Sequence, residues 1–259
     1  MNYKTIMVAE RASIKTITLN RPERRNAMTP EMQEELIATM EDAAAGGCRV
    51  LVLAGAGEAF CSGLDLSALQ ATREQSAAEY RADAERIARL FRTLYELPQP
   101  TIAAVDGAAI AGGTGLAIIC DFTLATPAAK FGFTETRIGF VPALVSAYLA
   151  LQIGDKRSRD LLLTGRLFDA EEAYRLGLVN EIVPPEDLAQ RVQLLAEVLI
   201  ANSSQSLRAT RQLMAAQNKA WLDAATAEAI AVSTQARETE DFREGVAAFL
   251  EKRKPVWPK

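Results

Sequence analysis

The sequence contains no histidine. That absence excludes Ser-His-Asp and Cys-His nucleophilic catalysis, imidazole general bases and histidine-ligated zinc. Proton transfer is left to carboxylates, lysines, tyrosines or water. Cysteine is scarce. Cys48, Cys61 and Cys120 are widely spaced and form no CxxC pair, so they read as small buried hydrophobes in a reducing compartment. No metal site is expected. A net charge of −4 without blocks of like charge gives no electrostatic reason to expect nucleic acid or a membrane surface as partner. No apolar run is long enough to span a bilayer, and Met1 to Arg11 is polar and mixed, unlike a signal or transit peptide. The expected setting is cytoplasmic. No Walker lysine pattern occurs. Gly55-Ala56-Gly57 and Gly113-Thr114-Gly115 supply GxG after strand-like runs, but the sixth position is Phe60 or Ile118, so a dinucleotide fingerprint is incomplete.

What is present reads as an ordinary globular composition, 49% apolar and 24% charged over 259 residues. Ile14 to Leu19 alternates apolar and polar, as a strand would. Thr29-Pro30 opens a helix bearing Met32, Leu36, Ile37 and Met40 on one face. Arg49 to Ala54 is a short continuous apolar run, expected of a strand covered on both faces. A helix is predicted over 77–97, from Tyr80, Ala84, Ile87, Phe91 and Leu94 at helical spacing. Pro98 and Pro100 end it, and Thr101 to Val105 resumes a strand. Strands and helices alternate to about residue 190, which predicts an α/β core with largely parallel strands.

Beyond that point the pattern turns helical, over 188–201, 204–217, 220–237 and 241–253. We divide the chain into a core, 1–190, and a helical region, 191–259. Leu199, Leu213, Ile230 and Phe249 are its apolar candidates for core or for a subunit interface.

Two glycine-containing turns each follow a strand: Phe60-Cys61-Ser62-Gly63-Leu64-Asp65-Leu66, and Ala109-Ile110-Ala111-Gly112-Gly113-Thr114-Gly115-Leu116. Glycine permits close backbone approach, and a helix start presents unpaired N–H groups. Facing one point, two such turns would accommodate negative charge developing on oxygen. The competing reading is that they are simply tight turns.

Taken in order, ITLNRPERRNAM (17–28), FCSGLDL (60–66), PTIAAVDGAAIAGGTGLAIICDF (100–122), KFGFTETRIGFVP (130–142), AYRLGLVNEIV (173–183) and FLEKRKPVW (249–257) resemble the enoyl-CoA hydratase/isomerase, or crotonase, family. The resemblance spans nearly the whole chain. It implies a crotonase-like spiral of ββα units with a helical C-terminal trimerisation region, assembling as a homotrimer or hexamer. It implies an acyl-CoA substrate and no separate cofactor, coenzyme A being part of the substrate. Carried over residue by residue, the backbone N–H groups of Leu64 and Gly112 become the oxyanion hole, and Glu135 the acid/base. Arg24, Asn26, Ser62, Asp65, Leu66, Gly113 and Lys252 fall on positions that border coenzyme A. Leu66 to Tyr95 falls on the segment lining the acyl tunnel.

The resemblance also has gaps. The hydratases' first glutamate falls on Gly115, which has no side chain to activate water. A glycine-rich Pro-Gly-x-Gly-Gly segment, which normally borders the catalytic water, here reads Pro142-Ala143-Leu144-Val145. A drier pocket is expected. Apolar surroundings, with Phe131 and Phe133 as candidates, should raise the pKa of Glu135 and suit it to proton transfer. Similarity to members that hydrate carboxylated branched substrates, through the run Thr134 to Ser146, favours a hydratase. The single glutamate favours conversion of a 3-enoyl-CoA to a 2-enoyl-CoA. A non-catalytic acyl-CoA-binding trimer is the third reading.

Overall fold

The computed structural model describes residues 3–67 and 76–257. The chain begins with β1 (Ile6–Arg11), β2 (Ile14–Leu19) and α1 (Pro30–Ala45), followed by β3 (Val50–Gly55) and β4 (Ala59–Cys61). Next come α2 (Ala77–Glu96), β5 (Thr101–Val105), β6 (Ala108–Ile110) and α3 (Gly112–Ile119). Then follow β7 (Phe122–Ala125), β8 (Lys130–Gly132), a 3-10 turn at Glu135–Ile138 and α4 (Ala143–Thr164). The remainder is β9 (Leu167–Asp169), α5 (Ala170–Leu176), β10 (Glu181–Ile182), α6 (Leu188–Ala201), α7 (Ser204–Ala236) and α8 (Glu240–Leu250).

Two sheets share the strands. One has the order β1-β2-β3-β5-β7-β10 and the other β4-β6-β8-β9. The chain crosses between them in pairs: β3 to β4, β5 to β6, and β7 to β8. Helices α2 and α3 lead back to the first sheet, whereas α4 leads to β9 in the small sheet and α5 returns the chain to β10. This is the expected spiral of ββα units. Pairing is parallel from β2 through β10 in the large sheet and from β4 to β8 in the small one; β1 with β2 and β8 with β9 run antiparallel.

β3 explains why its sequence is continuously apolar. Leu51 and Leu53 face the main core, with Phe60, Phe91, Leu94 and Leu116, whereas Val50 and Val52 face a second cluster with Ile102, Leu124, Val192, Ala196 and Leu199. Helix α6 supplies that second cover, so both faces of the sheet are buried. Thr29 caps α1 by accepting from the Met32 N–H at 3.2 Å, and Ser76 and Glu79 form a reciprocal capping box on α2.

The C-terminal helices differ from the sequence reading in one respect. The predicted helices 204–217 and 220–237 are a single rod, Ser204–Ala236. Neither glycine nor proline interrupts residues 217–220. Asn218 is held in the helix by donating from Nδ2 to Tyr95 Oη at 2.9 Å. Arg211 reaches from the same rod to Asp121 at 2.7 Å. Leu199 is buried in the second cluster, whereas Leu213 is 60% exposed. Among the described residues no helix is long and apolar enough to cross a membrane.

Candidate active site

The turn after β4 is fixed by the segment that follows β2. The Met28 N–H donates to Gly63 O at 2.7 Å, the Asp65 N–H donates to Met28 O at 3.0 Å, and Leu64 pairs with Met28 as an isolated parallel bridge. Gly63 has φ +90, and a Cβ there would lie 3.0 Å from both the Ala111 Cβ and the Ile110 O, and 3.6 Å from the Gly112 N. Only glycine lets the two turns approach this closely.

On the other side, Ala111 sits at φ 54, ψ −123, a region an L-residue enters at a cost of about 1–3 kcal/mol. Its N–H donates to Gly132 O at 2.7 Å and its carbonyl accepts from the Gly115 N–H at 3.1 Å, which holds the strain in place. The strained residue directs the chain into α3, whose first residue is Gly112. The N–H groups of Leu64 and Gly112 have no acceptor among the described residues. Both residues line one cavity of about 500 Å³, together with Glu135. Two free donors and a helix N-terminus are what an enolate oxygen requires.

Glu135 opens the 3-10 turn after β8. Gly139 closes it at φ 65, and α8 packs over it so tightly that a Cβ on Gly245 would lie 2.2 Å from the Ile138 carbonyl. Glu135 is 9% exposed, and its Oε2 is buried with no hydrogen-bond partner among the described residues. Burial pushes its pKa up to about 7, opposed only by its own backbone N–H. The surroundings are not those expected. Phe131 and Phe133 lie behind the site, their rings 5.8 and 6.4 Å from Phe168, and neither lines the cavity. The odd-even alternation of β8 turns these rings into the core. Ile87, Phe91, Phe140 and Val145 supply the apolar wall instead.

The structure brings together Leu64, Gly112 and Glu135 with Arg24, Ser62, Asp65 and Leu66 on the cavity lining, and it leaves three of the predicted residues outside. Asn26 is fully buried. Its Nδ2 donates to Ala56 O and Ala59 O at 2.9 and 2.7 Å, and its Oδ1 accepts from the Arg21 N–H at 2.8 Å, so the side chain braces the turn. Gly113 is packed against β4; a Cβ there would lie 2.1 Å from Cys61 O. Lys252 lies exposed on the turn after α8, with φ 55. Asp65 lines the cavity but its carboxylate is paired to Arg21 at 3.0 Å. Of the predicted tunnel segment, Leu66, Ser67, Ile87 and Phe91 line the cavity, and 68–75 lies outside the described residues. Burial pushes the Cys61 thiol up to about 12, so it is no nucleophile.

At residue 115 the cavity wall is closed by side chains. A Cβ there would sit 2.8 Å from the Phe91 ring and 3.2 Å from a Val145 methyl. The space a longer side chain would need is already occupied by carbon. Sequence reasoning missed the contribution of the C-terminal helices, whose Ser233, Phe249 and Leu250 also line the cavity. No periodicity marks them, because a wall formed by long-range packing leaves no local pattern.

A family model described as enoyl-CoA hydratase/isomerase matches residues 9–259. The chain is 43% identical over 247 residues to a Thermus thermophilus protein whose enoyl-CoA hydratase name is provisional, covering 95% of this chain and 98% of that one. It is 34% identical to the (E)-benzylidenesuccinyl-CoA hydratase of Thauera aromatica, covering 93% and 94%. Its fold matches the crystal structure of an enoyl-CoA hydratase/isomerase from Xanthobacter autotrophicus Py2 with a TM-score of 0.90, at 29% identity and full coverage of both chains. An α/β fold with unpartnered backbone donors and a buried carboxylate in one cavity suits an enzyme that stabilises negative charge on oxygen. The chain belongs to the enoyl-CoA hydratase/isomerase family.

Proposed function

We propose that the enzyme moves the double bond of a 3-enoyl-CoA into conjugation, giving the 2-enoyl-CoA. Glu135 takes a proton from the α-carbon, and the C–H electron pair passes into an enolate whose oxygen accepts from the Leu64 and Gly112 N–H groups. The same carboxyl then returns the proton to the γ-carbon, and the double bond comes to rest between α and β. No water is consumed. The observation that carries this reading is one unpartnered carboxylate in a cavity where Phe91 and Val145 fill the place next to residue 115. A carboxyl with a pKa of about 7 can both accept and give back a proton near neutrality.

A second reading, hydration of a 2-enoyl-CoA, is favoured by the hydratase names of the relatives. Purified enzyme assayed on 3-hexenoyl-CoA, crotonyl-CoA and 3-methylglutaconyl-CoA decides between them. Isomerisation of 3-hexenoyl-CoA with slow hydration of the other two is expected. Hydration of crotonyl-CoA at an ordinary enzymatic rate overturns the first reading. Binding of all three without turnover would leave a non-catalytic acyl-CoA protein.

Coenzyme A lies, in this proposal, along Arg24, Ser62, Asp65 and Leu66 at the cavity mouth, and no other cofactor takes part. The region 191–259 carries homotrimer or hexamer formation, a role that its exposed Leu194, Val198, Leu213 and Trp221 support. The setting is cytoplasmic.

A further inference from the structure

The cavity wall contributed by α7 carries one polar side chain, Ser233. The residue is only 2% exposed, yet its hydroxyl has no hydrogen-bond partner among the described residues. A buried serine in a helix ordinarily donates to the carbonyl four residues back. The adjacent Thr234 does so, donating to Ile230 O at 2.8 Å. Ser233 does not, so both its donor and its acceptor capacity are left at the cavity wall. The hydroxyl opens on the cavity, where a bound molecule can supply its partner.

Four residues on, capping the C-terminus of α7, lies Arg237, which is 2% exposed. Its guanidinium donates to Asp83 Oδ2 at 3.0 Å and sits 5.7 Å from the ring centroid of Phe140, itself a cavity residue. Arg86 takes the other oxygen of Asp83. Two guanidiniums thus share one carboxylate, and Arg237 Nε is left buried with no partner. Two cations face one carboxylate in this cluster, with the exposed Glu79 near enough to Asp83 to interact with it. A free hydroxyl donor in front of it and a cation behind it favour an electron-rich group between the apolar walls of Ile87, Phe91 and Phe140.

We propose that Ser233 is a specificity-determining residue, selecting acyl thioesters whose acyl part carries a hydrogen-bond-accepting oxygen, as a carboxylate or a hydroxyl, over plain alkyl chains. The inference rests on the reading of this cavity as the acyl-CoA site, and it is tested without turnover. Binding of hexanoyl-CoA, glutaryl-CoA and 6-hydroxyhexanoyl-CoA, none of which has a double bond to move or hydrate, is measured calorimetrically on the full chain, with Ser233→Ala and Ser233→Thr. Relative to hexanoyl-CoA, at least one oxygen-bearing probe is expected to lose about tenfold in affinity in Ser233→Ala, the scale of one hydrogen bond, and to recover it in Ser233→Thr. Loss for glutaryl-CoA alone identifies the carboxylate as the selected group; loss for both identifies the shared oxygen. Equal losses for all three probes, or no loss, overturn the proposal. A thermal melt of each variant confirms that the comparison is made on folded protein. Failure of all three probes to bind the unaltered chain would instead overturn the acyl-CoA reading of the cavity.

Discussion

The two walls of the active site are built from different materials. On one side stand backbone donors, the Leu64 and Gly112 N–H groups, held by the bridge to Met28, the glycine at 63 and the strained Ala111. On the other side stands one side chain, Glu135, whose Oε2 has no partner among the described residues. The backbone wall is a property of the fold, since peptide groups persist whatever side chains they carry. The carboxylate wall depends on a single residue and on what surrounds it. Variation in chemistry is therefore easiest on the side-chain wall, where Phe91 and Val145 fill the space beside Gly115.

The comparison can be broken most sharply at Glu135. Glu135→Gln should lower kcat for the productive substrate by about 10²–10⁴-fold, in the range of one general acid/base, while the melting temperature at pH 8 does not fall. Its pKa of about 7 has two further consequences. Activity that requires the carboxylate should fall as pH drops below about 7. Because the folded-state value lies above the ordinary one of 4.5, the protonated form favours folding. That contribution, on the order of 3 kcal/mol, is present below about pH 4.5 and is lost as pH rises to about 7. Denaturant titrations of both proteins across this window should show the slope in the native chain and its absence in Glu135→Gln.

The backbone wall is tested by Gly63→Ala. A Cβ at φ +90, pressed on Ala111 and Ile110, must displace one donor from the other. Steady-state kinetics should show kcat lowered by up to about 10²-fold, the loss of one oxyanion donor. An unchanged kcat would mean that the two N–H groups are not the oxyanion site. Next comes Gly115→Glu, which should not create a hydratase. Overpacking against Phe91 should instead cost about 1–3 kcal/mol of stability, read by thermal melts, and Phe91→Ala in the same chain should relieve it. Asn26→Ala removes three hydrogen bonds of the turn and should cost about 1–3 kcal/mol while leaving the acyl preference intact. The smallest effect is expected for Arg24→Ala, a few-fold rise in KM with kcat retained, because an exposed cation at the mouth contributes equally to ground state and transition state.

The sequence was most legible where function uses local chain geometry. The turns at 60–66 and 109–116, the strands 14–19 and 101–105, and α6 at Leu188–Ala201 lie where the residues predicted. Glycines, caps and apolar alternation are short-range signals, and these elements need little else. Legibility failed where side chains meet across long separations. Asn26 and Gly113 looked like ligand contacts because they adjoin such contacts in the chain; the structure turns the first into a turn brace and the second into a packing point. Phe131 and Phe133 were expected around Glu135 for the same reason, and strand alternation sends them to Phe168.

The sequence alone determined that this chain has no imidazole chemistry, that its strands and helices alternate, and that two glycine-bearing turns and one glutamate lie in family motifs. Each follows from residue identity or from spacing along a short stretch. Only the tertiary structure decided that Glu135 is buried without a partner, that Phe91 and Val145 close the space at Gly115, and that α7 and α8 complete the wall with Ser233 and Phe249. Desolvation and excluded volume are set by atoms distant in the chain, so no local pattern could record them.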